Sequence, residues 1–319
     1  MTQPDTNESV KEYVYRFVAG LCMGAADVVP GVSGGTIAFV LGVYDRLIQA
    51  IRSVNVALVQ KALRLDFKAV FTHLDWKFLL PLGLGIVASL LSLVHLVSWA
   101  LENAQAPLFA FFFGLILASL ISLSGHIRWN VSAICGGAVG AILGYLIIQL
   151  VPVDMPNTSL VVFFSMAIAI CAMILPGVSG SFLLLIMGQY TFIITAIKEF
   201  DLKIAAVAVG GAAVGLLSFS KLLGWLLDRY RNVVVATMTG FILGSAPKIW
   251  PFRHVDLEVI KGDELIVLKD SPRLPLEGES AALCLLLGLV GFLVLSALDQ
   301  FHTRNNPVLR RLRATKKKA

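Results

Sequence analysis

The chain has 319 residues, of which 57% are apolar and only 14% are charged, and its mean hydropathy is +0.83. Soluble domains contain about 25% charged residues, and their surfaces do not accommodate this much apolar side chain. The composition excludes soluble, disordered and collagen-like proteins and indicates a helical membrane protein. The net charge of +6 comes from basic residues between and after the apolar segments, so membrane topology explains it better than a nucleic-acid partner, and we expect none.

Six apolar stretches are long enough to cross a bilayer, for which about 20 residues are needed. They are 80–101, 107–124, 130–151, 203–226, 233–250 and 280–299. Two further apolar segments, 13–51 and 159–197, are broken near the middle at Pro30-Gly31 and at Pro176-Gly177. Each half of a broken segment is long enough for a helix, so we predict that each segment enters the membrane, stops at its break and returns.

This arrangement places both termini on one side of the membrane. On that side lie 19 of the 26 Lys and Arg residues, and 7 lie on the other. Because positive charge is retained in the cytoplasm, we expect cytoplasmic termini and a basic cytoplasmic tail over 301–319. Full crossing by both broken segments would also leave the C-terminus inside, so the bias supports re-entrance without requiring it. The longest outer loop is predicted to contain a hairpin of Val255–Ile260 and Leu265–Leu268.

The two broken segments repeat one another. The sequence Val-Pro-Gly-Val-Ser-Gly-Gly-Thr at 29–36 returns 146 residues later as Leu-Pro-Gly-Val-Ser-Gly-Ser-Phe at 175–182. From 26 to 51, 11 of 26 positions are identical to their counterparts, and a weaker echo pairs 114–119 with 240–245. The order of the two motifs is the same in both halves.

Each half therefore contains one broken segment and three spans. Three is an odd number, so the second half is predicted to enter the membrane upside down relative to the first. The predicted fold is a single all-α polytopic membrane domain, 1–319, with an inverted-topology internal repeat over 13–151 and 159–300. Each half is one re-entrant broken hairpin plus three transmembrane helices, the architecture of many secondary transporters.

The repeated motif has the chemistry of an anion site. Proline removes an amide donor and disfavours helix in the residue before it, while the glycines permit tight turns. Ser33 is predicted to cap a helix that runs through Thr36 to Tyr44. The amides of Gly34, Gly35 and Thr36 would then be free donors at the positive end of that helix.

The second motif offers Ser179, Gly180 and Ser181 in the same way. Two inverted halves would bring the loops together near the midplane, where non-helical backbone must face protein or a water-filled cavity. We therefore predict a phosphate-type ligand on Ser33, Gly34, Gly35, Thr36, Ser179, Gly180 and Ser181, with Pro30, Gly31, Pro176 and Gly177 forming the loops. The pattern does not specify which anion.

Few charged residues lie near these loops. Asp27 stands inside the apolar run and has Met173 as its counterpart, so it either carries a proton or caps local backbone. Arg46 either contacts phosphate or marks the inner interface, and Lys221 either contacts the ligand or snorkels to the surface.

No catalytic set or nucleotide-binding loop is recognisable, and the cysteines and histidines lack metal-ligand spacing. We therefore expect a transporter rather than an enzyme, with no cofactor and no metal.

The motifs at 25–36 and 175–181, together with Gly-Phe-Ile-Leu-Gly-Ser-Ala-Pro-Lys-Ile-Trp-Pro at 240–251, resemble the polyprenyl-phosphate transporter family. The resemblance covers about 13–300. It implies a protein of the bacterial inner membrane that returns undecaprenyl phosphate from the outer to the inner leaflet, so that this carrier of envelope sugars is reused. The implied partners are the lipid and the bilayer.

Inward movement of a negative headgroup opposes the membrane potential by about 2.3 kcal/mol per charge per 100 mV. A co-moving proton, with Asp27 as its candidate carrier, or consumption of the lipid inside would offset this cost. The alternatives are a transporter or channel for a small inorganic anion that uses the same loops, a lipid-binding assembly protein, and a lipid-modifying enzyme.

Overall fold

A computed structural model of the chain describes residues 9–29, 32–54, 58, 66, 74–153, 155–261, 264–276 and 280–303. These residues form eleven α-helices, one 3-10 helix and a two-stranded sheet. In chain order they are α1 (Val10–Val28), α2 (Gly34–Val40), α3 (Tyr44–Ser53), α4 (Trp76–Asn103), α5 (Gln105–Ser124), α6 (Val131–Ile148), α7 (Ser159–Ile174), α8 (Gly180–Ile186), α9 (Tyr190–Lys198), α10 (Leu202–Ser245), the 3-10 helix (Ala246–Ile249), β1 (Arg253–Lys261), β2 (Glu264–Pro272) and α11 (Ala281–Thr303). The predicted loop residues Pro30 and Gly31, and the tail from 304 onward, lie outside the described residues.

The helices have the length and surface of membrane spans. Among the described residues, five helices are long and apolar enough to cross a bilayer, or six if the bent pair α8–α9 counts as one span. Their outer faces are apolar, with Leu91 and Leu285 about three-quarters exposed. A soluble protein does not expose apolar surface on this scale, so the chain is a multi-span membrane protein.

The predicted spans 203–226 and 233–250 are parts of one element. Helix α10 runs for 44 residues and leaves helical geometry only at Tyr230, with φ −132° and ψ 37°. No proline or glycine stands between the two spans, which explains why the break is a single residue. The two arms, 202–229 and 231–245, are called α10a and α10b. Ala104, between α4 and α5, has nearly the same conformation, with φ −147° and ψ 44°.

Each broken segment contains three helices instead of the two predicted. Helix α1 ends at Val28, and α2 then covers only seven residues. The expectation that this helix continues to Tyr44 was wrong because Gly42 adopts φ +69° and turns the chain before α3 begins. Gly188 turns the chain between α8 and α9 in the same way, with φ +66°, and those two helices meet at 103°.

The element boundaries follow the sequence repeat. The end of α1, both ends of α2 and the start of α3 recur 146 residues later in α7, α8 and α9. The start of α4 and the Ala104 break recur 126 residues later, at the start of α10 and at Tyr230. The shorter interval equals that of the weaker sequence echo, so the two halves share one order of helices.

Each short helix runs back along the helix before it. The Tyr15 hydroxyl, in the first half of α1, donates to the carbonyl of Leu41 just after α2 (2.7 Å). In the second half, the amide of Val153, before α7, donates to the carbonyl of Ile186 at the end of α8 (2.7 Å). The chain therefore returns towards the starting end of α1 and of α7.

Close backbone contacts pair the long helices. Helix α1 packs on α4, α7 on α10a, α5 on α11, and α6 on α10b. A Cβ atom added at Gly240 would lie 2.0 Å from the carbonyl oxygen of Gly137, and one at Gly211 would lie 2.2 Å from that of Phe163. Small residues allow this approach where no water drives helices together. In every pair the contacting residue numbers rise together, so the paired helices run parallel.

The predicted hairpin is confirmed, and its strands β1 and β2 pair antiparallel. Asp270 on β2 joins it to the helical body, because its carboxylate accepts hydrogen bonds from Lys248 (2.8 Å) and Arg253 (2.5 Å). Burial alone would raise the pKa of Asp270, but these two cations hold that pKa below its ordinary value.

Candidate functional site where the two broken segments meet

The structure brings the two repeated motifs into direct contact. The hydroxyl oxygen of Thr36, in the first motif, accepts a hydrogen bond from the amide of Gly177 in the second (2.8 Å). Tyr44 donates its hydroxyl hydrogen to the carbonyl of Ile174, one residue before the second break begins (2.9 Å). Both side chains are almost fully buried. Two hydrogen bonds therefore tie the halves together at their breaks.

Backbone also meets backbone at this junction. A Cβ atom added at Gly35 would lie 2.8 Å from the carbonyl oxygen of Met173. Gly177 has φ +90°, and a Cβ there would lie 2.8 Å from the amide nitrogen of Ile242 in α10b. Neither position has room for a larger residue, which explains a glycine at each.

Two amides of the first motif are hydrogen-bonded to residues of the same broken segment. The amide of Gly34 donates to the Asp27 carboxylate (2.7 Å), and that of Thr36 donates to the carbonyl of Ser33 (2.9 Å). Two of the three amides predicted to be free are therefore engaged. The charge near this helix end is supplied by Asp27, as expected for a carboxylate at the start of a helix.

Ser33 stands at the N-cap position of α2, but its side chain does not form the predicted capping bond. Its hydroxyl is buried and has no hydrogen-bond partner among the described residues. A buried hydroxyl without a partner is costly, and such a group commonly marks a ligand or water position.

The second motif is open. Ser181 is exposed, and the hydroxyls of Ser179 and Ser181 lie 3.0 Å apart. Ser179 caps α8 by accepting weakly from the amide of Phe182 (3.5 Å). In the part of the chain that the structure describes, the amides of Gly180 and Ser181 donate to no other group. The second motif thus contains two hydroxyls and two amides within three consecutive residues.

The two basic candidates lie on α3 and α10a. Arg46 makes a bidentate ion pair with Asp75 (2.6 and 3.0 Å) and lies over the ring of Phe78. Lys221 is exposed on α10a. Pro176 is buried and lies with Gly177 in a turn.

Sequence reasoning missed two residues of this site. Tyr44 was visible as a residue repeated at Tyr190, but the repeat gave no sign of its contact across the halves. Lys248 places its ammonium 5.1 Å from the centre of the Phe182 ring in α8. It belongs to the third motif of the sequence, 240–251, whose place beside the second broken segment depends on tertiary packing.

Comparison with known proteins identifies the family of the chain. A protein family described as undecaprenyl phosphate translocase-like matches residues 23–264. The chain belongs to this family. The match spans both motifs and confirms the resemblance that the motifs indicate.

Two curated relatives extend the comparison. A polyprenyl-phosphate transporter of Vibrio cholerae serotype O1 is 46% identical over 243 residues, which are 76% of this chain and 79% of the relative. A polyprenyl-phosphate transporter of Staphylococcus aureus is 31% identical over 255 residues, which are 73% of this chain and 84% of the relative. No solved structure matches the chain significantly.

Proposed function

We propose that the chain carries undecaprenyl phosphate from the outer to the inner leaflet of the bacterial cytoplasmic membrane, so that the lipid is reused in envelope synthesis. The names of the two relatives support a polyprenyl phosphate as the substrate. The observation that carries the proposal is the bond from Gly177 to Thr36, which joins two broken helices at a point where irregular backbone would otherwise face lipid.

The helix directions support an inverted repeat. In the first half the last two long helices are α5 and α6, and in the second half they are α10b and α11. Helix α5 runs parallel to α11, and α6 runs parallel to α10b. If consecutive spans within a half alternate in direction, this exchange of partners requires the halves to have opposite orientations.

The same contacts support re-entrance. Helix α1 runs parallel to α4, and α7 runs parallel to α10a. Two successive long helices are parallel only if the chain between them returns to its starting side. The return of α2 along α1 and of α8 along α7 provides this path.

We assign the phosphate mainly to the second motif. The hydroxyls of Ser179 and Ser181 and the amides of Gly180 and Ser181 offer a phosphate several donors at once. Lys248 lies beside the first turn of the same helix and supplies positive charge. The Ser33 hydroxyl adds a donor from the first motif, whereas the Gly34 amide is bonded to Asp27 and Thr36 acts through the junction. The polyprenyl tail remains in the bilayer.

Asp27 is the proposed coupling residue. Its carboxylate accepts from Gly34, so adding a proton weakens that bond and also removes a negative charge near the phosphate path. A proton that travels with the headgroup cancels one of the charges that the membrane potential opposes.

A vesicle assay tests the proposal. Purified protein is placed in liposomes that contain undecaprenyl phosphate, and an impermeant phosphatase reports the headgroups in the outward-facing leaflet. With active protein the whole lipid pool becomes accessible, and without it about half does. We expect the double change Ser179→Ala and Ser181→Ala to slow the exchange about tenfold, because it removes two hydroxyl donors to the phosphate.

Ser92→Ala is the matched control, because the Ser92 hydroxyl is exposed and, among the described residues, bonds only to the Ala88 carbonyl of its own helix. Exchange no faster than in protein-free vesicles would refute the proposed function. Uptake of labelled inorganic phosphate without exchange of the lipid would instead establish the small-anion alternative.

A further inference from the structure

A cavity of about 470 Å³ lies beneath the turn between α2 and α3, at the end of the molecule that the charge bias predicts to be cytoplasmic. We call it the inner cavity. Its titratable lining residues are Tyr44, Asp45, His126, Arg128, Arg231 and Asp299. Through Tyr44 its wall is bonded directly to the second motif, so the cavity adjoins the junction of the two halves.

The internal repeat gives this cavity a counterpart. A second cavity of about 310 Å³, the outer cavity, is lined by Gln105, Ala106 and Phe109. Those positions lie 126 residues before Arg231, Asn232 and Val235, which line the inner cavity. The interval is that of the helix repeat, so the two cavities occupy equivalent places in the two halves, on faces predicted to be opposite.

The two cavities differ in the hydrogen bonds of one arginine in each, Arg253 in the outer cavity and Arg128 in the inner cavity. In the outer cavity Arg253 uses all its donor nitrogens, on the Asp270 carboxylate and on the carbonyls of Pro247, Lys248 and Asp270. In the inner cavity the guanidinium of Arg128 has no hydrogen-bond or ion-pair partner among the described residues. The inner cavity therefore has binding capacity that its counterpart lacks.

The backbone holds Arg128 in place while its side chain stays available. The side-chain amide of Asn232 accepts from the Arg128 amide (2.8 Å) and donates to the Arg128 carbonyl (2.7 Å). Because these bonds involve only backbone atoms of Arg128, replacing its side chain leaves them intact.

The other charged groups of the cavity are occupied by protein. Arg231 forms an ion pair with Asp45 across the cavity mouth. Asp299 is buried and accepts from the Ser122 hydroxyl (2.6 Å). His126 donates through Nδ1 to the Ser122 carbonyl (2.8 Å). An anion that enters competes with Asp45 for Arg231 and meets Arg128 without competition.

We propose that the inner cavity binds a phosphate monoester through Arg128, and that Arg231 joins the site when the phosphate displaces Asp45. This inference rests on the proposed function, in which the cavity is the station that the headgroup occupies before it leaves on the cytoplasmic side. The chemistry is that of guanidinium and phosphate, and it applies to a lipid headgroup and to free phosphate alike.

Binding is measured on the full chain in detergent, with a short-chain polyprenyl phosphate and, separately, with inorganic phosphate. We expect Arg128→Gln to weaken binding about tenfold, Arg128→Lys to restore most of it, and Asp45→Asn to tighten binding several-fold by releasing Arg231. Arg229→Gln is the matched control, because Arg229 is exposed on the same helix as Arg231 and does not line the cavity.

A structural role for these residues would not produce opposite effects from Arg128→Gln and Asp45→Asn. Loss of binding for the lipid probe identifies the headgroup as the ligand, and loss for inorganic phosphate alone identifies free phosphate. Equal binding by Arg128→Gln and Arg229→Gln, with wild-type lipid exchange intact in vesicles, overturns this inference and leaves the proposed function standing. If the wild type shows no lipid exchange but Arg128→Gln loses binding, the proposed function fails and the phosphate site in the inner cavity stands.

Discussion

Replacing Thr36 with valine tests the junction between the two halves. Valine keeps the volume of threonine but removes the oxygen that accepts the Gly177 amide at 2.8 Å. Gly177 is pressed against the backbone of Phe241 and Ile242, which leaves no space for a replacement water. An unsatisfied buried amide costs about 1–3 kcal/mol, so we expect Thr36→Val to lower the unfolding free energy by that amount.

The measurement is thermal unfolding of the purified chain in lipid nanodiscs, together with lipid exchange in vesicles. Thr237→Val is the control, because within the described part of the chain the Thr237 hydroxyl bonds only to the Val233 carbonyl of its own helix (2.9 Å). Tyr44→Phe removes the second bond of the junction, and the double variant is expected to show coupling above about 0.5 kcal/mol, as residues of one network do. Equal stability of Thr36→Val, Thr237→Val and the wild type would refute this account of the junction.

Three further predictions follow from the packing and the charges. Gly240→Ala forces α6 and α10b apart and should destabilise the protein by about 1–3 kcal/mol, whereas Gly83→Ala, with open space around it, should be neutral or stabilising in the same unfolding assay. The pKa of Asp270 is lowered in the folded protein, so its contribution to stability is present above its unfolded pKa and is lost as pH falls through the lower folded value. Limited proteolysis should therefore show the hairpin loosening below about pH 4. Asp270→Asn should abolish this pH dependence. Asp27→Asn should flatten the pH dependence of lipid exchange, and an unchanged profile would show that Asp27 serves only as a cap.

Much of the architecture could be predicted from the sequence because proline and glycine determine the local backbone conformation. The breaks at 29–33 and 175–179 follow from the restrictions that proline imposes on its own residue and the one before it. The repeat then predicted equivalent elements in the second half. The extra turns at Gly42 and Gly188 were overlooked, although the two glycines align in the repeat and a glycine pair at equal positions is itself a signal for positive φ.

The chemistry of the site was harder to predict from the sequence because it depends on contacts between the two halves. Thr36 and Phe182 are equivalent by position, yet Thr36 bonds to the opposite motif and Phe182 lies beside Lys248. The sequence left Asp27 between a cap and a proton carrier, and its bond to Gly34 shows that it serves at least as a cap. Arg128 drew no attention, because its cavity is formed by helices far apart in the sequence.

The bond between Asp27 and Gly34 has a consequence for stoichiometry. A duplicated anion site would ordinarily take two ligands, one in each copy. Here the chain fills one copy with its own carboxylate, so a titration of the paired motifs should saturate at a single lipid per polypeptide. In the proposed site the Asp27 carboxylate thus takes the place of a ligand in the first motif, and the bond from Gly177 to Thr36 holds the second motif against the first.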